Sequence, residues 1–154
     1  MLFSKSWHMS VLFMKANLEN KLLAVVRIRG RVGVRRSIGE TLGRLNLKRV
    51  NNLAIVYGSK SNIGMIRKCN DFVTYGEIDN ETLNVLLDSK GIKLSQEDIK
   101  QVIDGKKSLR SVATGSLHMR PPRRGYEGIK KGYSTGGALG YRGNDINELI
   151  GRMI

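Results

Sequence analysis

The alternation of short apolar runs with amphipathic stretches over residues 22–78 is the feature that most constrains the fold of this chain. Residues 22–29 (LLAVVRIR) predict a strand because they are apolar and β-branched, and 53–57 (LAIVY) and 72–78 (FVTYGEI) predict two more. Helical segments separate them, so the order is β-α-β-α-β within fewer than sixty residues. Connections this short favour an α+β fold in which two helices cover one face of a three-stranded sheet.

Two helices are predicted between these strands. The first has an apolar stripe at offsets of four, seven, eight and eleven residues, which is typical of one buried helix face: Val34, Ile38, Thr41, Leu42 and Leu45. Ser61 and Asn62 are candidate N-caps of the second helix, which should extend to about Asn70. The residues expected in the hydrophobic core are Ile38, Leu42, Leu45, Ile55 and Val73.

Residues 79–154 are expected to form a C-terminal extension of the core. Asp79 and Ser95 are candidate N-caps of two helices, and the glycines at 91 and 105 are their expected C-terminal stops. The extension is therefore predicted to begin with a helical pair.

The composition then changes, because glycine, proline and basic residues dominate from 111 to 141, and only 117–120 (LHMR) resembles a strand. We expect residues 120–143 to be mobile in the free protein and ordered only by a bound partner, since few apolar side chains offset the entropy lost on ordering. Asn144 or Asp145 should cap a final helix. The residues on its inward face are expected to be Ile146, Leu149, Ile150 and Met153.

The net charge of the chain is +14, from 27 Lys and Arg against 13 Asp and Glu. A charge of this size argues for a polyanionic partner, because each phosphate that is neutralised releases condensed counterions. Residues 1–78 carry 14 basic and 4 acidic side chains, 79–112 are neutral, and 113–154 carry 7 and 3. Two basic regions on either side of a neutral middle indicate two contact surfaces for nucleic acid.

The first basic region contains the stretch RIRGRVGVRR (27–36), where arginines surround a strand end and a predicted helix start without an acidic residue between them. Guanidinium groups match phosphate oxygens, and a helix N-terminus adds N–H donors. A solvated charged loop is the alternative interpretation. The candidate RNA-binding residues of this region are Arg27, Arg29, Arg31, Arg35, Arg36, Arg44, Lys48, Arg49, Lys60, Arg67 and Lys68.

The second basic region, residues 120–143, combines many glycines with prolines that favour an extended backbone. Its basic side chains are candidates for phosphate contacts, and its tyrosines for stacking on unpaired bases or riboses. A disordered linker is the alternative interpretation. The candidates in this region are Arg120, Arg123, Arg124, Tyr126, Lys130, Lys131, Tyr133, Tyr141 and Arg142.

The sequence predicts no catalytic site, no metal site and no cofactor. His8 and His118 lie far apart without a cluster of acidic or cysteine ligands, and the single cysteine, Cys69, has the spacing of a core residue. One glycine-rich stretch lacks the glycine spacing of a dinucleotide-binding motif. The other has the glycine spacing of a phosphate-binding loop but lacks its lysine. No small-molecule substrate is therefore expected.

Residues 1–21 are expected to be an N-terminal extension. The first 18 are rich in apolar side chains, but Lys5, His8 and Lys15 interrupt any signal-peptide core, and no cleavage motif follows. No apolar run is long enough to span a bilayer, so no membrane partner is expected. A natural start at Met14 is another interpretation of this segment.

From Leu22 to Ile154 the chain resembles the archaeal and eukaryotic form of the thirtieth large-subunit ribosomal protein. Three stretches carry the resemblance in the family's order: AVVRIRG with the helix end LGRLNLKRVNN, then GMIRKCNDFVTYGEI, then LHMRPPRRGYEGIKKGYSTGGALGYRGNDINELIGRMI. The resemblance covers about five-sixths of the chain. It departs at residues 1–18, which are apolar where eukaryotic members have a long basic extension.

The resemblance implies a ferredoxin-like core at 22–78 and a C-terminal extension at 79–154. It implies a structural constituent of the large ribosomal subunit that binds and stabilises large-subunit rRNA during assembly and translation, beside neighbouring ribosomal proteins. It also implies a cytoplasmic location on the ribosome and no enzymatic step.

Two other functions are compatible with the residues. One is a small ferredoxin-like regulatory domain that binds a metabolite or DNA as a dimer. This function predicts a ligand cleft and a self-complementary sheet face, but it leaves the second basic region unexplained. An accessory domain of an RNA-modifying enzyme requires a catalytic partner chain. Co-sedimentation with the large subunit that is lost at high salt distinguishes the ribosomal function from both.

Overall fold

The computed structural model of the chain describes residues 18–106 and 117–154, so most of the predicted N-terminal extension lies outside the described residues. The strands are β1 (Leu22–Arg27), β2 (Asn52–Tyr57), β3 (Val73–Glu77), β4 (Leu117–His118), β5 (Gly128–Gly132) and β6 (Gly137–Tyr141). The helices are α1 (Arg36–Arg44), α2 (Lys60–Lys68), α3 (Asn80–Ser89), α4 (Gln96–Ile103) and α5 (Ile146–Met153). The fold is mixed α+β, which confirms the predicted class.

The described strands form one sheet in the order β4-β2-β1-β3-β6-β5. β1 pairs antiparallel with both β2 and β3, and Val25 lies opposite Ala54 on one side and Tyr75 on the other. β6 pairs in parallel with β3, where Thr74 lies opposite Gly140, and β5 pairs in parallel with β6. The three strands predicted from the sequence are therefore the centre of a larger sheet.

The side chains of β1 are buried along the whole strand because helices cover both faces of the sheet. Leu23 and Val25 lie in one hydrophobic cluster with Leu42 of α1 and Ile66 of α2. Successive side chains of a strand point to opposite faces. The residues that pack with Ala24 and Val26 in the second cluster include Leu83 and Leu86 of α3 and Ile146, Leu149 and Ile150 of α5.

The predicted core residues divide between these two clusters. Leu42, Leu45 and Val73 are at most 4% exposed and lie in the α1–α2 cluster, which confirms their prediction. Ile38 is half-buried against the same cluster. Ile55 is half-buried against the opposite cluster, because it points to the other face of β2.

One of the predicted helix starts changes. α2 begins at Lys60, and the Ser59 side chain accepts a hydrogen bond from the Asn62 backbone N–H at 3.3 Å, so Ser61 and Asn62 lie inside the helix. α5 begins at Ile146 after a 3-10 turn at Gly143–Asp145, so Asp145 is at the predicted N-cap position, although its side chain makes no capping hydrogen bond. The inward face predicted for this helix is confirmed by the burial of Ile146, Leu149, Ile150 and Met153. No helix in the described ranges is long and apolar enough to cross a membrane.

Residues 120–143 contain two strands that the sequence did not predict, while the expected mobility of this segment in the free protein remains a prediction. β5 and β6 lie within this segment, and β6 extends the sheet beyond β3. Glycine makes the close pairing possible, because a Cβ at Gly137 would lie 2.0 Å from the backbone oxygen of Lys131. Backbone pairing and close approach therefore form these strands although the segment has few apolar side chains.

Candidate nucleic-acid interface

One end of the sheet collects the first basic region. β1 finishes there, and β2 and β3 begin there, because Val26 lies opposite Leu53 and Arg27 lies opposite Val73. We call the connections at this end, residues 28–36, 45–51 and 67–72, the basic end. They are adjacent in space although they are separated along the chain.

Most basic side chains of the basic end are open to solvent. The exposed ones are Arg31, Arg35, Arg36, Lys48, Arg49 and Lys68. Arg29 is half-buried, with its guanidinium carbon 5.3 Å from the centre of the Phe72 ring and one N–H donating to the Asp71 backbone oxygen at 3.4 Å. The turn that carries Asp71 and Phe72 therefore positions the guanidinium group of Arg29 within the basic end.

Arg27 is an exception, because it is only 3% exposed. Its Nη1 donates to the Leu47 backbone oxygen at 2.7 Å, and its Nε and Nη2 donate to the oxygens of Arg29 and Gly30 at 2.9 and 3.0 Å. The structure thus contradicts the expectation that Arg27 presents its guanidinium to RNA. Its N–H donors hold the loop after β1 against the loop after α1.

A groove of about 590 Å³ lies beside α1 at the basic end. Its rim carries the cationic side chains of Arg31, Arg35, Arg36 and Lys48, while Arg27 lies at its base. The one carboxylate in its lining belongs to Glu40, which pairs with Arg36 at 3.0 Å. The groove therefore carries an excess of positive charge.

Part of the second basic region reaches the basic end through a half-buried contact. The Tyr126 hydroxyl donates to Asn51 Oδ1 at 2.7 Å, and the Asn51 backbone N–H donates to the Arg27 oxygen at 2.9 Å. This contact anchors the start of the second basic region. The exposed basic residues near it in sequence are Arg120, Arg123 and Arg124.

The anchoring of Tyr126 can be tested by titration. Burial raises the pKa of Tyr126 to about 12. An unfolded tyrosine ionises near pH 10, so the stability from this protonated hydroxyl should be complete below about pH 10 and lost as the pH rises towards 12. Ultraviolet titration of the folded protein should show a tyrosine component near pH 12 that is missing in Tyr126→Phe. A difference between the two curves that has its midpoint near pH 10 would contradict a buried Tyr126 hydroxyl.

The strands β5 and β6 are stabilised by the side chains of Arg142, Tyr133 and Tyr141. Arg142 is 5% exposed, donates to Glu127 Oε2 at 3.2 Å, and stacks with its guanidinium carbon 4.5 Å from the centre of the Tyr133 ring. Tyr141 is half-buried beside Tyr75, with the ring centres 5.7 Å apart. The expectation that Arg142 is free to bind phosphate is therefore wrong. The rings of Tyr133 and Tyr141, which were expected to stack on bases, are partly covered.

The remaining candidates lie away from this end or on its margins. Lys60 starts α2 after the C-terminal end of β2, so it lies at the opposite end of the sheet. Lys130 and Lys131 are exposed on β5, which forms the edge of the sheet. Arg44 is exposed in the last turn of α1, and the half-buried Arg67 lies in that of α2.

Asn51 was not predicted as a site residue. Its backbone has a φ of +62°, a left-handed conformation that asparagine tolerates better than most residues. The Asn51–Asn52 doublet before a strand is a turn signal that could have identified it. Its link to Tyr126 could not be found from the sequence, because the two residues are 75 positions apart.

The described residues contain no group of three or more histidine, cysteine or acidic side chains placed to hold a metal ion. Cys69 is fully buried, as predicted, and burial raises the pKa of its thiol. A buried, protonated thiol is a poor nucleophile.

Comparison with known proteins identifies the family. The family described as "Ribosomal protein L30p/L7e" matches residues 23–73. The large ribosomal subunit protein uL30 of Thermoplasma volcanium is 40% identical over 153 residues, covering 86% of this chain and 93% of the relative. The chain belongs to the uL30 family.

Further uL30 proteins match over the same extent. That of Methanococcus vannielii is 42% identical, covering 85% of this chain and 98% of the relative. That of Nanoarchaeum equitans is 42% identical, covering 86% and 99%. The resemblance to an archaeal-type large-subunit ribosomal protein is confirmed, and a member of the uL30 family is a structural protein, not an enzyme.

Proposed function

We propose that this chain is a structural constituent of the large ribosomal subunit, located on the cytoplasmic ribosome, and that it binds large-subunit rRNA through the basic end. The observation that carries the proposal is the convergence of cationic loops at one end of the sheet. Residues 28–51 contain seven arginines and lysines but a single acidic residue, Glu40, which already pairs with Arg36. The uL30 relatives support the ribosomal assignment.

The physical basis is electrostatic. Phosphate contacts by arginine and lysine release counterions and give affinity without requiring a particular sequence. The side chains proposed for these contacts, with the tail arginines beside them, are Arg29, Arg31, Arg35, Arg36, Lys48, Arg49, Lys68, Arg120, Arg123 and Arg124. Binding of this kind stabilises folded rRNA during assembly and translation, because it reduces the repulsion between adjacent phosphates.

The segment that contains α3 and α4 has no excess of basic side chains. Residues 79–112 carry six acidic and six basic side chains. A surface without net positive charge attracts phosphates less and suits contact with neighbouring ribosomal proteins. We propose that this side faces protein, while the basic end faces RNA.

We also propose a ferredoxin-like arrangement for residues 22–78, with 79–154 as an extension. The antiparallel order β2-β1-β3 and the packing of α1 and α2 in one cluster support it. The regulatory-domain alternative requires an open, self-complementary sheet face. Both faces of β1 are buried in the described chain, which does not favour that alternative.

Replacing Arg31, Arg35 and Arg36 with glutamine is expected to weaken binding to large-subunit rRNA and to lower the salt slope by about three units, one for each phosphate that the variant no longer neutralises. The fold should be unaffected because all three side chains are exposed. Filter binding across a salt series, together with a thermal melt, measures both effects.

The matched control replaces three exposed lysines on the α3–α4 side, Lys93, Lys100 and Lys106, with glutamine. Both variants have the same reduction in net charge. Equal reductions of affinity in the two variants would show that binding follows net charge alone and would exclude the basic end as the contact surface. Absence of the native chain from sedimented large subunits would contradict the ribosomal function itself.

A further inference from the structure

Two glycines form the smooth wall of the groove beside α1. Gly39 and Gly43 lie four residues apart, so they share one face of the helix. A Cβ added at either position would meet no heavy atom within 4 Å. Packing within the described chain therefore does not require glycine at these positions.

Glycine in a helix interior is unfavourable relative to alanine, because its backbone loses more conformational freedom on folding. Open space in front of both glycines leaves room for the close approach of a ligand backbone. The rim supplies the attraction, since Arg31, Arg35 and Lys48 surround this wall.

Apart from the Arg36–Glu40 pair, no carboxylate in the described chain pairs with the cations of the groove. Arg27, at its base, donates to backbone oxygens, and none of the described carboxylates pairs with it. Burial lowers the pKa of Arg27, and the positive charge of Arg31 lowers it further because the two cations repel each other. An anion placed in the groove relieves this repulsion.

The lining also indicates which part of an RNA fits. It contains no aromatic ring for stacking on a base, and its apolar contribution comes from Val34. Arginine and lysine side chains around a flat wall suit the sugar–phosphate backbone, which proteins recognise in helical RNA by its shape.

We propose that the groove beside α1 binds one segment of rRNA sugar–phosphate backbone, with Arg31, Arg35, Arg36 and Lys48 contacting phosphates and Gly39 and Gly43 allowing the backbone to approach the helix. The inference rests on the proposed rRNA-binding function. It adds that shape, and not charge alone, determines affinity at this position.

The test replaces Gly39 and Gly43 together with glutamine in the full chain and measures binding to deproteinised large-subunit rRNA across a salt series. Glutamine is uncharged and favours a helix more than glycine, so the unfolding midpoint should be unchanged or higher. Affinity should fall about tenfold, and the salt slope should fall by about one unit for each phosphate that glutamine keeps out of the groove.

Gly151 provides the matched control, because it is an exposed glycine within α5 whose added Cβ also meets nothing within 4 Å. Gly151→Gln should bind as the wild type does. In a chain that already carries Arg35→Gln and Lys48→Gln, the two glycine replacements should weaken binding far less, because the phosphate contacts they block are already absent.

Wild-type affinity and slope in the folded Gly39→Gln, Gly43→Gln chain would overturn the inference, and so would an equal reduction of affinity in Gly151→Gln. If the double replacement lowers the unfolding midpoint, Gly43→Ala alone is measured, with the same expected direction. A failure of the proposed function is distinguishable, since in that case the wild-type chain itself does not bind the rRNA.

Discussion

Truncation of Leu42 to alanine is expected to lower the free energy of unfolding by about 2–5 kcal/mol, the usual range for a leucine removed from a packed core. Leu42 is fully buried where α1 meets the sheet, in the cluster that contains Leu23, Val25 and Ile66. The truncation leaves a cavity beneath α1, the helix that carries the groove. α1 cannot move inward to fill this cavity without displacing the basic end. Chemical denaturation of the free chain measures the effect.

Val32 provides the control for this prediction. It is an apolar residue in the loop before α1, but its side chain is 99% exposed. Val32→Ala should change the free energy of unfolding by less than about 0.5 kcal/mol, as exposed substitutions usually do. A denaturation midpoint for Leu42→Ala that matches the wild type would show that α1 does not bury this face.

The central strands and their covering helices were predictable because their patterns are local. The β-branched run at 22–29 and the stripe through Ile38 and Leu42 each reflect the period of one element. β6 was missed because it is formed by distant backbone pairing, such as Thr74 with Gly140, and β5 was missed because it pairs only with β6 and has few apolar side chains. A composition rich in glycine indicates flexibility unless such a partner is known.

The candidate site was predictable in its chemistry but not in its exposure. The sequence places Arg27, Arg29 and Arg31 at equal spacing, and nothing local separates one from another. In the structure Arg27 is buried, Arg29 is half-buried and Arg31 is exposed, because the loops after β1 and after α1 close over only the first of them. Burial of a polar side chain is decided by such distant loops, which periodicity does not describe.

Replacing Arg27 with glutamine is therefore expected to destabilise the fold, in contrast to the other arginines of this loop. The guanidinium donates to four backbone oxygens, those of Arg29, Gly30, Leu47 and Lys48. A single glutamine amide cannot reach all of them, and each buried acceptor left unsatisfied costs about 1–3 kcal/mol. We expect a decrease of about 3 kcal/mol or more in the free energy of unfolding, measured by chemical denaturation.

Arg31→Gln provides the control, because it removes the same charge from an exposed side chain and should leave the denaturation midpoint within error. Arg27→Lys separates charge from geometry: lysine keeps the positive charge but lacks the planar fork of donors, so it should restore only part of the stability. Wild-type stability in Arg27→Gln, combined with weakened rRNA binding, would instead return Arg27 to the RNA-contacting surface. The two roles are distinguished by the quantity that changes. A residue that holds the loops together lowers the free energy of unfolding of the free protein, whereas a residue that only contacts RNA lowers the affinity for rRNA.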